Sequence, residues 1–212
     1  MIKVVGVMKK IVINKCMNYI KKNTNYSDIK LKEIEYGLVS IYLTISKLIV
    51  IFLLSFILGI FKEMIVFTIL YNILRAPSFG LHATKSWICL LSSTIIFIGI
   101  PYLCMFISIP IFFKVIIGIL GICFMIKNAP ADTKKKPIVN KKRRKIYKII
   151  STILTIIFSG LSLVITNNYI SNCLIFSIIL QNLLISPTVY KIFKLPYNNY
   201  ITFLKEHPDF AQ

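Results

Sequence analysis

An arginine, a histidine and a cysteine follow one another at seven-residue intervals, as Arg75, His82 and Cys89. His82 is one of only two histidines in the chain of 212 residues. A thiol close to an imidazole is the minimum requirement for nucleophilic catalysis by cysteine, because the ring can accept the thiol proton. The surrounding sequence is apolar enough to suggest a membrane protein. Ionisable groups near a bilayer cost about 2.5–3.5 kcal/mol each on insertion scales, so they persist where they act or find partners. The segment therefore predicts a cysteine-based active site.

Direct contact between His82 and Cys89 is difficult within one unbroken helix. Seven residues at 1.5 Å each separate the two side chains by about 10 Å along the helix axis. A general base must lie about 3 Å from its proton or reach it through one water. We therefore expect His82 in a loop that Gly80 allows to fold back, with Thr84 or Ser86 capping the next helix. Cys89 then falls in the first turns of that helix, whose positive end favours a thiolate.

Each of these residues also has a purely structural interpretation. Cys89 is compatible with packing in a span, His82 with a hydrogen bond at headgroup depth, and Arg75 with the polar end of a span. In a catalytic site, Arg75 would either hold a carboxylate of the substrate or order the loop through its planar fork of donors. Glu35 and Asp132, both distant in sequence, are candidates to orient His82.

The elements that must position these residues are membrane helices. The chain is 57% hydrophobic with a mean hydropathy of +0.78, above the usual apolar share of a soluble domain. Long apolar runs alternate with lysine-rich stretches, and the ten-residue alternating segments of a membrane barrel do not occur. We predict an all-α polytopic membrane protein of about six transmembrane helices, preceded by an N-terminal amphipathic helix at the membrane surface.

We expect a single integral membrane domain over residues 1–212. Its parts are a cytoplasmic amphipathic segment 1–35, four spans within 37–126, a basic cytoplasmic loop 127–148, two spans within 149–190 and a cytoplasmic tail 191–212. The individual apolar segments are predicted at 37–61, 64–74, about 84–105, about 107–126, about 149–165 and about 172–190. A short turn is expected at Lys62 and Glu63, and a loop at 76–80 because it contains Pro77 and Gly80.

The formal net charge of +19 is concentrated between the apolar segments. Residues 1–35 hold eight lysines and residues 127–148 hold ten lysines and arginines, so both stretches are expected in the cytoplasm. Four crossings between them then place the loop at 75–83 on the cytoplasmic side. No nucleic-acid partner is expected, because no surface with base-reading or stacking groups is visible.

The five cysteines do not predict a disulfide framework or a zinc site, because their number is odd and none forms a CxxC pair. Four of them are interpreted as small apolar packing residues: Cys16, Cys104, Cys123 and Cys173. No phosphate-binding glycine motif occurs. We therefore expect neither a metal nor a cofactor.

Three stretches of the chain resemble a known family. They are Arg75–Cys89, with Ser78-Phe79-Gly80-Leu81-His82-Ala83 inside it, Glu35-Tyr36-Gly37 before the first span, and Ala129–Pro137 in the basic loop. In spacing, order and topology they resemble the accessory gene regulator B (AgrB) family of Gram-positive bacteria. Many relatives carry two adjacent glycines shortly before the histidine, and here Phe79 occupies the first of those positions.

The resemblance implies a membrane cysteine endopeptidase of quorum sensing. Such a protein cuts the C-terminal tail from a small precursor peptide, retains the remainder as an acyl-thioester, and supports closure of a thiolactone ring by an internal cysteine of the peptide. Carried over, Cys89 is the nucleophile and His82 the general base, with Arg75 and Gly80 as supporting residues. The implied partners are a precursor with an acidic C-terminal tail, membrane lipid and a second copy of the chain. The implied location is the bacterial cell membrane, with the active site facing the cytoplasm.

Two other classes of function remain open on the sequence. In a peptide exporter or small transporter, the Cys89 and His82 pair would only bind the substrate. In a membrane scaffold, the protein would recruit the peptide without any catalysis.

Overall fold

The computed structural model describes residues 2–24, 26–81, 86–133 and 137–207 of the chain. Within these ranges the protein is α-helical, and an isolated backbone bridge pairs Phe79 with Ala131. A π-helical turn, Ile95–Gly99, joins α4 to α5. The helices are α1 Ile2–Asn23, α2 Asp28–Ile57, α3 Phe61–Ser78, α4 Ser86–Thr94, α5 Ile100–Phe106, α6 Ile111–Asn128, α7 Lys141–Val164, α8 Asn168–Ile185, α9 Pro187–Ile192 and α10 Asn199–Glu206.

The all-α polytopic architecture is confirmed. In the part of the chain that the structure describes, five helices are long and apolar enough to cross a membrane: α2, the continuous helix Trp87–Phe106, α6, α7 and α8. Helix α3 has 18 residues and is therefore about 27 Å long, close to the thickness of a hydrocarbon core. It carries Lys62, Glu63 and Arg75 near its two ends, which lowers its hydropathy but leaves its middle apolar.

The turn between α2 and α3 lies earlier than predicted. It occupies residues 58–60, where Gly59 adopts a φ of 69°. Lys62 and Glu63 are instead in the first turn of α3. At the other end of this helix, the predicted loop 76–80 is helical as far as Ser78, with Pro77 inside the last turn. A proline there removes only one backbone donor, and both Pro77 and Ser78 are buried.

The predicted basic loop 127–148 is also shorter than expected. Helix α6 continues to Asn128, and α7 begins at Lys141, so residues 141–148 are helical. The side-chain oxygen of Asn140 caps α7 by accepting a hydrogen bond from the backbone N–H of Arg143 at 3.0 Å. Lysine and arginine are good helix formers, so a capped basic run extends the span instead of forming a loop. After α8, Pro187 begins the separate helix α9.

The predicted amphipathic helix at the N-terminus is confirmed as α1. Its buried side is formed by Ile13 and Met17, and α1 packs against α2. Ile11 and Tyr19 are exposed on this protein's surface. Apolar and basic residues thus remain available to a membrane surface, and the position of α1 on the inner leaflet stays a prediction.

Helix α8 is the centre of the bundle, since α3, α5, α6 and α7 all pack against it. Close approach is possible because α6 presents glycines to its neighbours, as membrane helices commonly do. A Cβ at Gly121 would lie 2.5 Å from Cγ2 of Ile178 on α8, and one at Gly118 would lie 3.0 Å from Oγ of Ser159 on α7. The small residues therefore bring α6 close to α7 and α8.

Candidate active site

A strained turn follows α3 and leads directly to position 82. Phe79 adopts φ 57° and ψ −131°, and Gly80 adopts φ 112°. A positive φ is natural for glycine and costs other residues about 1–3 kcal/mol. Phe79 therefore takes a conformation suited to glycine at the position where the resemblance expects one. Its ring packs edge-on against Tyr147 of α7, with the ring centroids 5.1 Å apart.

The turn is held by backbone hydrogen bonds on two sides. On one side, the N–H of Gly80 donates to the carbonyl of Ala131 at 2.9 Å, and the N–H of Ala131 donates to the carbonyl of Ser78 at 3.1 Å. On the other side, the N–H of Leu81 donates to the carbonyl of Leu184, near the end of α8, at 2.9 Å. Residues 79–81 thus form a docked turn, which is bound between the 129–132 segment and α8 and ends at the residue before His82.

Gly80 is required by both conformation and space. A Cβ at this position would lie 2.9 Å from the carbonyl oxygen of Leu184, which is backbone and cannot move aside cheaply. The prediction that Gly80 lets the chain fold back is therefore supported by its φ of 112° and by this close approach to α8.

Arg75 orders the same turn from inside α3. Its Nη1 donates to the hydroxyl of Tyr71 at 2.9 Å, and its Nη2 donates to the carbonyl of Leu81 at 3.0 Å. Of the two roles proposed for Arg75, the structure therefore shows the ordering of the loop through the planar guanidinium. Binding of a substrate carboxylate remains a prediction. Tyr71, one helical turn earlier, is a supporting residue that the sequence did not reveal.

Gln181 is a second residue that sequence reasoning missed. It lies on α8, is fully buried, and its Nε2 donates to the carbonyl of Phe79 at 2.8 Å. The available signal was a glutamine inside an apolar span, because polar side chains within membrane helices are rare and usually have a role.

The carboxylate of Asp132 accepts hydrogen bonds from backbone N–H groups. One carboxylate oxygen accepts from the N–H of Asn199 at 3.0 Å, and the other accepts from the N–H of Tyr200 at 2.8 Å and of Ile138 at 3.4 Å. The carboxylate thereby satisfies the first free N–H groups of α10. Burial raises the pKa of the Tyr190 phenol, and the charge of Asp132 raises it further, so the hydroxyl stays protonated and donates to the carbonyl of Asp132 at 3.1 Å.

The two candidates for orienting His82 thus differ in what the structure shows. The carboxylate of Asp132 is buried and bound by backbone N–H groups. Glu35 lies on an exposed part of α2. His82 itself lies outside the described residues, as does Thr84, so the pairing of His82 with Cys89 stays a prediction.

Cys89 is the fourth described residue of α4, and its place in the first turns of that helix stays a prediction. It is partly exposed and is a free thiol. The other four cysteines are free as well: Cys104 and Cys173 are buried, Cys16 is partly exposed and Cys123 is exposed. Packing therefore accounts for Cys104 and Cys173, whereas Cys123 faces outward from α6. No group of three metal-ligating side chains occurs among the residues that the structure describes.

We predict that Gly80→Ala destabilises the protein by about 1–3 kcal/mol, because the alanine must accept a positive φ and a close contact with Leu184. The measurement is the midpoint of thermal unfolding in detergent. Gly160→Ala on α7 is the matched control, since a Cβ there meets nothing within 4 Å. The interpretation of Gly80 is wrong if both variants unfold at the wild-type temperature.

Comparisons with known proteins agree with the sequence pattern. Residues 13–185 match the family model for accessory gene regulator B. A putative AgrB-like protein of Clostridium acetobutylicum is 28% identical over 87% of this chain and 88% of its own length. A putative AgrB-like protein of Listeria monocytogenes is 31% identical over 79% and 82%, and the accessory gene regulator protein B of Staphylococcus aureus is 34% identical over 68% and 79%. No solved structure matches the chain. With its membrane helices and the docked turn before position 82, this protein belongs to the accessory gene regulator B family.

Proposed function

We propose that this protein is a membrane cysteine endopeptidase that trims and helps to cyclise a quorum-sensing precursor peptide. The observation that carries the proposal is the docked turn. Hydrogen bonds with Ala131, Leu184 and Arg75 hold the chain up to Leu81, and His82 is the next residue in the sequence. Cys89 is the fourth described residue of the next membrane helix. A base that follows a hydrogen-bonded turn and precedes a thiol by seven residues suits nucleophilic catalysis.

In the proposed reaction, His82 takes the proton of the Cys89 thiol, and the thiolate attacks the carbonyl carbon of the scissile peptide bond. The C–N bond breaks, and the imidazolium returns the proton to the leaving amine of the tail. The head of the peptide remains on Cys89 as an acyl-thioester. The thiolate of an internal cysteine of the peptide then attacks that thioester, closing a thiolactone and releasing Cys89.

The location of Cys89 favours this sequence of steps. The first turn of a helix presents free backbone N–H groups and a partial positive charge, which stabilise a thiolate and an oxyanion. Exchange of one thioester for another is nearly isoenergetic. The yield of cyclic peptide therefore depends on keeping water from hydrolysing the acyl-thioester intermediate. A site at the end of a membrane bundle restricts the access of water from one side.

We place the site at the cytoplasmic face of a bacterial cell membrane. The turn at 79–81, the end of α6 and the end of α8 lie at one end of the bundle, together with the start of α7. That start carries Lys141, Lys142, Arg143, Arg144 and Lys145, and basic residues collect on the cytoplasmic side. The same charge would attract an acidic peptide tail. A homodimer completes the proposed assembly.

We predict that Cys89→Ala and His82→Ala each lower cleavage of a cognate precursor peptide by at least 10³-fold, because each removes one half of the nucleophile and base pair. The measurement is release of the C-terminal tail from peptide added to protein in liposomes. Cys123→Ala, at the exposed free thiol of α6, is the control and should cleave normally.

Binding without cleavage by the wild-type protein would favour the scaffold or transporter. Cleavage by Cys89→Ala at the wild-type rate would exclude the proposed nucleophile.

We further predict that Cys89 is labelled only from the cytoplasmic side. In a variant that keeps Cys89 as its single cysteine, a membrane-impermeant maleimide should react in inverted vesicles and not in intact cells. Asn167→Cys, in the loop between α7 and α8 at the opposite end, should show the reverse pattern in the same cysteine-free background. Labelling of Cys89 in intact cells would contradict the proposed orientation.

A further inference from the structure

Within the described ranges, only one of the two polar atoms of the Gln181 side-chain amide forms a hydrogen bond. Its Nε2 donates to the carbonyl of Phe79 at 2.8 Å, but its Oε1 is buried and accepts no hydrogen bond among the described residues. Leaving a buried acceptor unsatisfied costs free energy of folding. A nonpolar side chain of similar length would avoid that cost but would leave the carbonyl of Phe79 without its donor. The bond to that carbonyl is therefore what a glutamine supplies at this position.

The bond from Gln181 completes the restraint on a single peptide unit. The carbonyl of Phe79 and the N–H of Gly80 belong to the same planar peptide group. Gln181 on α8 holds the carbonyl end, and Ala131 holds the N–H end at 2.9 Å. A peptide group held at both ends cannot rotate about the chain. Without Gln181, one end is released in a turn that already contains two positive φ angles.

We propose that Gln181 is a positioning residue for the peptide-processing reaction. By locking the peptide group between Phe79 and Gly80, it sets the direction in which the chain runs through Leu81 into His82. This inference rests on the proposed function, because it assigns Gln181 to the placement of the proposed base. Small errors in the placement of a catalytic group, of about 1 Å, slow reactions by about 100-fold, so one hydrogen bond at this point has a measurable effect.

The first test is Gln181→Met, which keeps the length of the side chain and removes both the donor and the unsatisfied oxygen. The kcat of precursor cleavage in liposomes should fall about 10- to 100-fold, with KM within about twofold of the wild type. The midpoint of thermal unfolding should change little, because removing the unsatisfied buried oxygen offsets the loss of the donor to the Phe79 carbonyl. A merely structural glutamine would give the opposite pattern, with a lower unfolding midpoint and an unchanged kcat per folded protein.

The second test is rescue in Gln181→Glu. An ionised carboxylate cannot donate to the carbonyl of Phe79, whereas a protonated carboxyl can, and burial favours the protonated form. The ratio of the kcat of this variant to that of the wild type should therefore rise as the pH is lowered. A ratio that stays far below one at every pH, or that falls as the pH is lowered, would overturn the role of the donor.

Ser177→Ala is the matched control on α8. Ser177 is also fully buried, but its hydroxyl donates within its own helix, to the carbonyl of Cys173 at 2.7 Å. It should keep the wild-type kcat. Cys89→Ala is measured alongside to separate the two hypotheses. If Cys89→Ala is inactive and Gln181→Met has the wild-type kcat, this inference fails alone; if Cys89→Ala cleaves normally, the proposed function fails.

Discussion

The peptide group between Phe79 and Gly80 is hydrogen-bonded at both ends, and the proposed active site depends on that restraint. Its carbonyl is held by Gln181 and its N–H by Ala131. The next N–H, that of Leu81, is held by the backbone of Leu184. Near a membrane, such bonds gain in importance because unpaired backbone groups find little water to replace them. The turn that precedes the proposed base is therefore restrained at the Phe79 carbonyl and at the N–H groups of Gly80 and Leu81.

Helix α8 provides the surface on which this loop is built. It is buried by α3, α5, α6 and α7, and so its position is determined by the whole bundle and not by the loop. Its end supplies one backbone carbonyl, at Leu184, and one side-chain donor, at Gln181. The 129–132 segment supplies the other side, and it is itself anchored by Asp132, which caps α10. The position of the 79–81 turn is thus linked to the packing of the C-terminal helices.

Part of this arrangement could be predicted from the sequence. The apolar runs predicted the membrane helices, and the need for a fold-back agrees with the positive φ of Gly80. The active site at Arg75, His82 and Cys89 stays a prediction. The roles of Gln181 and Asp132 could not be predicted, because their partners lie 102 and 67 residues away in the chain. Hydropathy shows that a glutamine inside a span is unusual, but only the packing of α3 against α8 shows what it binds.

The boundaries of the helices were harder to predict than their existence. Hydropathy sets the apolar length of a span, while capping and tertiary contacts set where the helix begins and ends. Asn140 caps the start of α7 within the basic run. The cluster of lysines and arginines there therefore belongs to the first turns of a helix and not to a long loop. Pro77 lies in the last turn of α3, where it removes only one backbone donor from the helix.

The most direct measurement of the central claim is the capture of the covalent intermediate. Wild-type protein in liposomes would be mixed with precursor peptide, quenched in acid after a fraction of one turnover, and analysed by mass spectrometry of its fragments. The account predicts that the fragment containing Cys89 gains the mass of the trimmed peptide head, in a linkage that neutral hydroxylamine removes. Release of the tail with no such adduct, or with the adduct on another cysteine, would contradict it.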